Sequence, residues 1–495
     1  MKKNKRVLIA LALLTASFIA ACGGGGGSAG GGIGGTGKAV GAIDGFGSIF
    51  VNGVEFETGT ATVRFDDNPG VESDLKLGMV VEVEGEFNDD GVSGTAAVVS
   101  YDDVVEGPVT SAVNTTTKSF AVMGQTVFYT ANTVFEISGG GILLPTDLNA
   151  GTPVVEVSGI FDSAGQIRAT RVERKSENFI EGDLLEVKGR VANLDTTDET
   201  FDIGALAVNY SAVATSFDNG TINDLAEGVL VEVKGDDDPS VGGLDADRIE
   251  FEFEDFGNDG DLLEFEGYVT SIVSTVTQDF VVGDLPVLTN GQTQWRGGYT
   301  QLVDVALDDK VEVEGTLQDQ GGTLVLVARE VELDVEDNVR IEGPVQAVNS
   351  STNVLSIISL GVAYSDTLSV TRFEDKDAVN IAVDDVDPGA WVRIEGVLDP
   401  GGNVSATRIE QDDGDTDLTR IILEGPAAGT PGPSGGIFTI LGVTIDRQPD
   451  VQYRIEDAPV SATVFFTNLT DGRFVKARGT FAGTTLTAEE LDLQN

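Results

Sequence analysis

One pentapeptide constrains this chain more than any other feature. Val81-Glu82-Val83-Glu84-Gly85 recurs as Val155 to Gly159, Val231 to Gly235, Val311 to Gly315, Val392 to Gly396 and, more divergently, Val475 to Gly479. Successive occurrences lie about 75–83 residues apart, which suits a small domain and is too long for one turn of a solenoid. The chain therefore reads as six tandem copies, at 39–103, 104–175, 176–257, 258–337, 338–414 and 415–495. Other landmarks keep step with the pentapeptide. An opening strand reads Glu106-Gly107-Pro108-Val109, Lys188 to Val191, Glu266 to Val269, Glu342 to Val345 and Glu424 to Ala427, with the variant Asp44 to Gly47 in copy one. A closing strand reads Ala169-Thr170-Arg171-Val172-Glu173, Ala246 to Glu250 and Ala406 to Glu410, with looser forms at Ala328 and Ala488.

Within each copy, apolar and polar residues alternate over short runs rich in Val, Ile, Phe and Thr, punctuated by Gly, Asn and Asp. That is strand patterning with turn chemistry. In Val81-Glu82-Val83-Glu84 the valines fall on one face and the carboxylates on the other, expected to be the solvent face. The segment Asp74 to Gly78, echoed at Asp147 to Gly151 and Asp224 to Gly228, suits one capped helical turn ahead of the main strand. The expected fold is all-β: six small antiparallel OB-like barrels, with SH3-like barrels or small sandwiches as the alternatives. Closure would remove the exposed edges that six adjacent sheets present for aggregation.

Composition then narrows function. The chain carries 30 Lys+Arg against 82 Asp+Glu, a net charge of -52, with no His and one Cys. That balance repels phosphate backbones, so no nucleic acid is expected as a partner. Without imidazole, Ser-His-Asp and Cys-His nucleophile systems and His-ligated metal centres are excluded. The lone cysteine forbids an intramolecular disulfide.

The N-terminus supplies an address. Met1 to Arg6 is basic, and Val7 to Ala21 is apolar and ends directly at Cys22. Residues 1–21 read as a signal peptide, since the apolar run falls short of the ~20 residues that span a bilayer. Ile19-Ala20-Ala21-Cys22 resembles the bacterial lipobox, in which the cysteine is acylated and becomes the new N-terminus. Several acyl chains give a durable anchor where one does not. Gly23 in place of Asp is similar to outer-membrane-bound members. The expectation is an outer-membrane lipoprotein of a Gram-negative bacterium, on the periplasmic side or the cell surface, touching the membrane through lipid on Cys22. Residues 22–38, almost all Gly, Ser, Ala and Thr, read as a tether reaching roughly 20–24 Å.

Three strings carry a family resemblance: Phe46 to Val54, Asp74 to Gly85 and Val105 to Val109. They resemble the tandem-repeat bacterial lipoprotein family catalogued as domain of unknown function number 5666. The resemblance covers nearly all of 39–495 and is weakest in copy six. It implies the repeat unit and the envelope address, but no substrate, catalytic residue or cofactor.

Candidate sites were weighed residue by residue. One aromatic recurs per copy, at Phe65, Phe135, Phe217, Trp295, Phe373 and Tyr453, which marks Trp295 as a core plug rather than a sugar platform. Trp391 sits outside that series and reads as a half-exposed packing residue. Paired carboxylates such as Glu82 with Glu84 and Glu312 with Glu314 have the residue types of glycosidase chemistry but recur on the solvent face of a repeated strand, with no pocket implied. Acidic clusters at the junctions offer a second reading. Asp255, Asp259, Asp261 and Glu264 lie between copies three and four, and Asp412, Asp413, Asp415 and Asp417 between five and six. Calcium takes such oxygens. Asp255, Asp259, Gly260 and Glu266 match positions one, five, six and twelve of an EF-hand-like loop, although Gly257 stands at position three. The competing reading is a solvated acidic linker. The function expected is non-enzymatic: a modular array of six β-domains that displays or spaces binding surface in the cell envelope. The alternatives are a carboxylate-based hydrolase of an envelope polymer and a sugar- or peptide-binding module. The sequence singles out no protein or polysaccharide partner.

Overall fold

A computed structural model describes residues 35–493 apart from 47, 67, 89–92, 131, 140–142, 253–254, 274–277, 335–338, 366–370, 376–380, 399–401, 413–419, 430, 433–435, 456–457 and 470–472. Copy four shows how the alternating pattern is used. Its opening strand Leu262–Ile272 pairs antiparallel with the hairpin strand Phe280–Val282 and, on its other edge, with the main strand Lys310–Asp319. The second hairpin strand, Leu285–Leu288, runs parallel to the closing strand Leu324–Leu333, which pairs antiparallel with the main strand. The pairings thus return to their start, in the cyclic order first, second, third, fifth, fourth, first. A short strand carrying the recurrent aromatic, Gln294–Arg296, pairs parallel with the far half of the closing strand.

The same circuit recurs in the other copies. Copies one, five and six close through their named strands, and copy two closes through a bridge between Val109 and Val122. In copy three the circuit is interrupted where the opening strand breaks at Val191 and the closing strand at 246–247. Segment 421–493 follows the order of the others with an α-helix, Ala462–Asn468, where they carry a 3-10 turn. Those turns are Glu72–Asp74, Pro145–Asn149, Ile222–Asp224, Leu302–Asp304 and Val383–Asp385. They lie just ahead of the position the sequence suggested. The aspartate is the third residue of each turn, and its carboxylate turns back to accept from the backbone N–H three residues earlier, as Asp224 does from Thr221 at 2.9 Å and Asp385 from Ala382 at 3.0 Å.

The pentapeptide's composition now has a physical reason. Its two apolar residues point into the ring, with Val81, Val83, Val311, Val313, Val392 and Ile394 all buried, each contributing roughly 1.5–3 kcal/mol through burial. Its glycine marks a β-bulge. The register shifts at Gly85, Gly159, Gly315, Gly396 and Gly479, and in each copy that glycine faces the alanine of the closing strand. A Cβ on Gly315 would lie 2.3 Å from the Val327 carbonyl oxygen, and the equivalents at Gly85 and Gly396 meet Thr95 and Ser405 carbonyls at 2.2 and 2.4 Å. Buried threonines pin the bulge from the other side. Thr133, Thr215, Thr293 and Thr371 donate to the carbonyls of Ala169, Ala246, Ala328 and Ala406 at 2.6–2.8 Å.

Closure does not remove every edge, contrary to expectation. The opening strand gives one edge to the main strand, but the hairpin covers only the second half of its other edge. The first half is left with free N–H and C=O groups, and a sibling copy takes them. Gly37 to Val40 of copy one run parallel to Leu262 to Phe265 of copy four. Glu106 and Val105 of copy two pair antiparallel with Glu186 and Val187 of copy three. Arg340 to Glu342 of copy five pair antiparallel with Glu424 to Ile422 of copy six. Copies two and three share one apolar core, as do five and six. The copies are therefore not strung in chain order, because copy one lies against copy four.

This pairing corrects the tether boundary. The first strand, Gly35–Phe46, begins inside the glycine-rich stretch assigned to 22–38. Glycine is needed there for close approach, since a Cβ on Gly37 would sit 2.4 Å from the Leu262 carbonyl oxygen.

The bulge argument predicts that Gly315→Ala weakens copy four by about 1–3 kcal/mol, the usual cost of forcing an atom into a filled site. Amide hydrogen exchange across residues 310–333 should report it as lost protection. Gly291→Ala, at a position where a Cβ meets nothing within 4 Å, should leave that protection unchanged.

Candidate functional site

Because copies pair through their opening strands, the outer faces of those strands become interior. The carboxylates expected on the solvent face are drawn into the junctions, where each needs a cation or a proton. Lys38 Nζ lies 2.7 Å from Glu82, 3.2 Å from Glu84 and 3.3 Å from Asp255, tying copy one to the segment leading into copy four. Lys310 pairs with Glu266 at 3.0 Å and Asp334 at 2.6 Å. Arg372 of copy five reaches Glu332 of copy four at 2.6 Å. Glu314 accepts from Arg329 at 2.9 Å.

Two cavities lie among these junctions. The larger, about 550 Å³, is bounded by copies one, two, four and five. Its charged walls are largely satisfied by one another: besides the Lys310 and Arg372 pairs, Arg168 donates to Asp162 at 2.9 Å and lies over the Phe128 ring at 4.4 Å. The smaller, about 150 Å³, lies where copies one and three meet, between Asp66, Glu232, Lys234, Glu250 and Glu252.

Beside the smaller cavity is a concentration of carboxylates that sequence reasoning missed. One oxygen from each of Asp66, Asp103, Glu186 and Glu232 lies within 4.8 Å of the others, and Glu232, Glu250 and Glu252 form a second such group. Asp66 follows the short strand Thr62–Phe65 of copy one, and Asp103 lies in the link to copy two. Glu186 and Glu232 stand on the opening and main strands of copy three, Leu185–Arg190 and Leu230–Gly235. Lys234 serves both of these glutamates, at 2.7 and 3.1 Å. The second group has Arg248 on Glu250 at 2.6 Å and Lys188 near Glu252 at 3.3 Å. Asp103 Oδ2 and Asp66 Oδ1 are buried and accept no hydrogen bond. Burial, reinforced by Glu186, pushes Asp66 up to about 7. Burial, reinforced by Glu156, pushes Asp103 well above the ordinary carboxylate range.

The acidic residues singled out from sequence have other uses. Asp255 accepts from the Gly257 N–H at 3.0 Å and holds Lys38. Asp261 accepts from the Asn258 backbone at 2.7 Å, and Asp259 from the Asp319 backbone at 2.9 Å. Neither group of converging carboxylates among the described residues includes them. Glu264 is 6 % exposed and hydrogen-bonds with Glu312, two carboxyls that require a proton between them. Asp412 ends the closing strand Val404–Asp412, opposite Trp391. Cys22, Asp413, Asp415 and Asp417 lie outside the described residues. Trp295 packs half-buried against the copy-four core, its ring edge-on to Tyr299 at 6.3 Å, and Trp391 packs half-buried against the core of copies five and six.

The Glu264–Glu312 pair yields a pH prediction. Burial, reinforced by Glu314, holds Glu264 up to about 8 against an ordinary value of 4.5. Between those values the folded chain keeps a proton that the unfolded chain releases. The stabilisation is therefore complete below about pH 4.5 and is lost as pH rises to about 8. Melting temperature should fall over that window. Glu264→Gln, which keeps a donor for Glu312 without titrating, should flatten the fall and raise the melting temperature at pH 8.

Comparison with known sequences follows the repeat. The pattern of the family described as Domain of unknown function (DUF5666) matches residues 39–99, 106–173, 188–250, 266–332 and 342–410. These segments fall within copies one to five, and together they make up more than half of the chain. No curated protein matches it. With five of its repeats matched, the chain belongs to the DUF5666 family, as a tandem-repeat member.

Proposed function

We propose that this protein is a non-enzymatic, lipid-anchored component of the bacterial cell envelope, built from six OB-like barrels that associate in pairs into a scaffold presenting surface to envelope partners. The observation that carries the reading is the use each copy makes of its own chemistry. Opening-strand edges are spent on sibling copies, and junction carboxylates such as Glu82, Glu332 and Glu314 are held by Lys38, Arg372 and Arg329. An enzyme needs a few groups left poised around one reacting position. Here the same residue types recur copy by copy and mostly hold one another.

The OB-like description rests on the circuit of five strands with a parallel third–fifth pairing and a helical turn ahead of the fourth strand. Attachment rests on the basic start, the apolar run and Ile19-Ala20-Ala21-Cys22, which favour acylation of Cys22 and residence at the outer membrane of a Gram-negative cell.

Metabolic labelling with palmitate tests the anchor. The wild-type chain should take up label and fractionate with outer membrane, whereas Cys22→Ser should do neither and should accumulate as an uncleaved or soluble form. Equal labelling of both would overturn the assignment.

A further inference from the structure

We infer that Asp66, Asp103, Glu186 and Glu232 form a calcium site that fastens copy one and the link to copy two onto copy three. The inference is independent of the membrane anchor and of the scaffold reading, since it rests on these side chains alone.

Convergence is the first observation. The four oxygens all lie within 4.8 Å of one another, close enough to share one cation with metal–oxygen bonds of roughly 2.3–2.6 Å. Magnesium, at roughly 2.0–2.1 Å, draws its ligands closer and keeps more of its water. The donors are all carboxylate oxygens, which favours a hard cation over zinc or copper.

Burial is the second, independent observation. Asp103 is 3 % exposed, Glu186 and Glu232 5 % each. Asp103 Oδ2 nevertheless accepts no hydrogen bond, nor does Asp66 Oδ1. A buried carboxylate oxygen without a donor is costly, and here two belong to carboxylates grouped with two more. Lys234 is already engaged by Glu186 and Glu232 at 2.7 and 3.1 Å, and one ammonium cannot balance four carboxylates. A divalent ion supplies the missing charge and meets both orphaned oxygens. Calcium takes six to eight oxygens, and the adjoining cavity of about 150 Å³, which Asp66 and Glu232 also line, has room for the waters that complete its shell.

The ligands come from four stretches of the chain, two of them the paired strands Leu185–Arg190 and Leu230–Gly235 of copy three, so binding would tie Asp66 and Asp103 to that pair. The test uses the full chain and calcium itself. Calorimetric titration and melting curves would be recorded with calcium chloride, magnesium chloride and sodium chloride of matched ionic strength. Three variants would be compared: Asp103→Asn, Asp66→Asn at the half-exposed rim, and Asp259→Asn in the acidic loop before copy four. The site predicts that calcium raises the melting temperature beyond matched sodium chloride and beyond magnesium. The calcium Kd should rise at least tenfold in Asp66→Asn, and in Asp103→Asn where that variant folds, and should be unchanged in Asp259→Asn. Equal shifts from calcium and matched sodium chloride would overturn it, because that is general screening of an acidic chain. Undiminished calcium affinity in Asp66→Asn would overturn it equally, by placing the ion elsewhere.

Discussion

Half a strand edge organises this molecule. The five-strand circuit, interrupted in copy three, closes except along the first part of its opening strand, where backbone donors and acceptors face outward with no partner in the same copy. Such an edge invites association with whatever strand is nearest. A chain of identical circuits resolves the problem internally, because every copy carries the same unfinished edge. Copies one and four, two and three, and five and six meet along it.

The electrostatic character follows from that pairing. Alternation places valines inside the circuit and glutamates outside, and edge pairing then brings the glutamates of one copy against those of another. Glu106 stands opposite Glu186 in the register of copies two and three. A chain with net charge -52 therefore buries part of its charge rather than spreading all of it in water. Its few basic residues are concentrated accordingly, with Lys38, Lys234, Lys310, Arg372 and Arg408 each serving two or more carboxylates. Where cations run short, protons are retained, as at Glu264 and Glu312, or oxygens are left unpaired, as at Asp66 and Asp103.

What the sequence made legible was what repeats. The period, the alternation and the glycine at the end of each pentapeptide are local signals imposed on every copy by the same ring and the same bulge. Which sibling each copy meets was not legible, because the unfinished edge is nearly alike in all of them and adjacency in the chain is a poor guide. Gly37 shows the difficulty: it looks like tether, and only the position of Leu262 explains why no larger residue fits. The carboxylate cluster was hidden for a related reason. The acidic runs that stand out in sequence, from Asp255 to Asp261, are spent capping turns and holding Lys38. The residues that converge come from four separate segments, Asp66 and Asp103 each next to another aspartate and Glu186 and Glu232 on repeated strands, so no single acidic run marks them.

Copy one lies against the segment leading into copy four, through Gly37 to Val40 and the Lys38 ion pairs. Zero-length carbodiimide coupling of the folded, unmodified chain, read by peptide mass spectrometry, tests it directly. Lys38 can couple to Glu82 and Glu84 within its own copy, or to Asp255, 217 residues away and 3.3 Å from its amine. A Lys38–Asp255 isopeptide bond within single chains is expected; coupling confined to Glu82 and Glu84 would mean that copy one does not meet this segment.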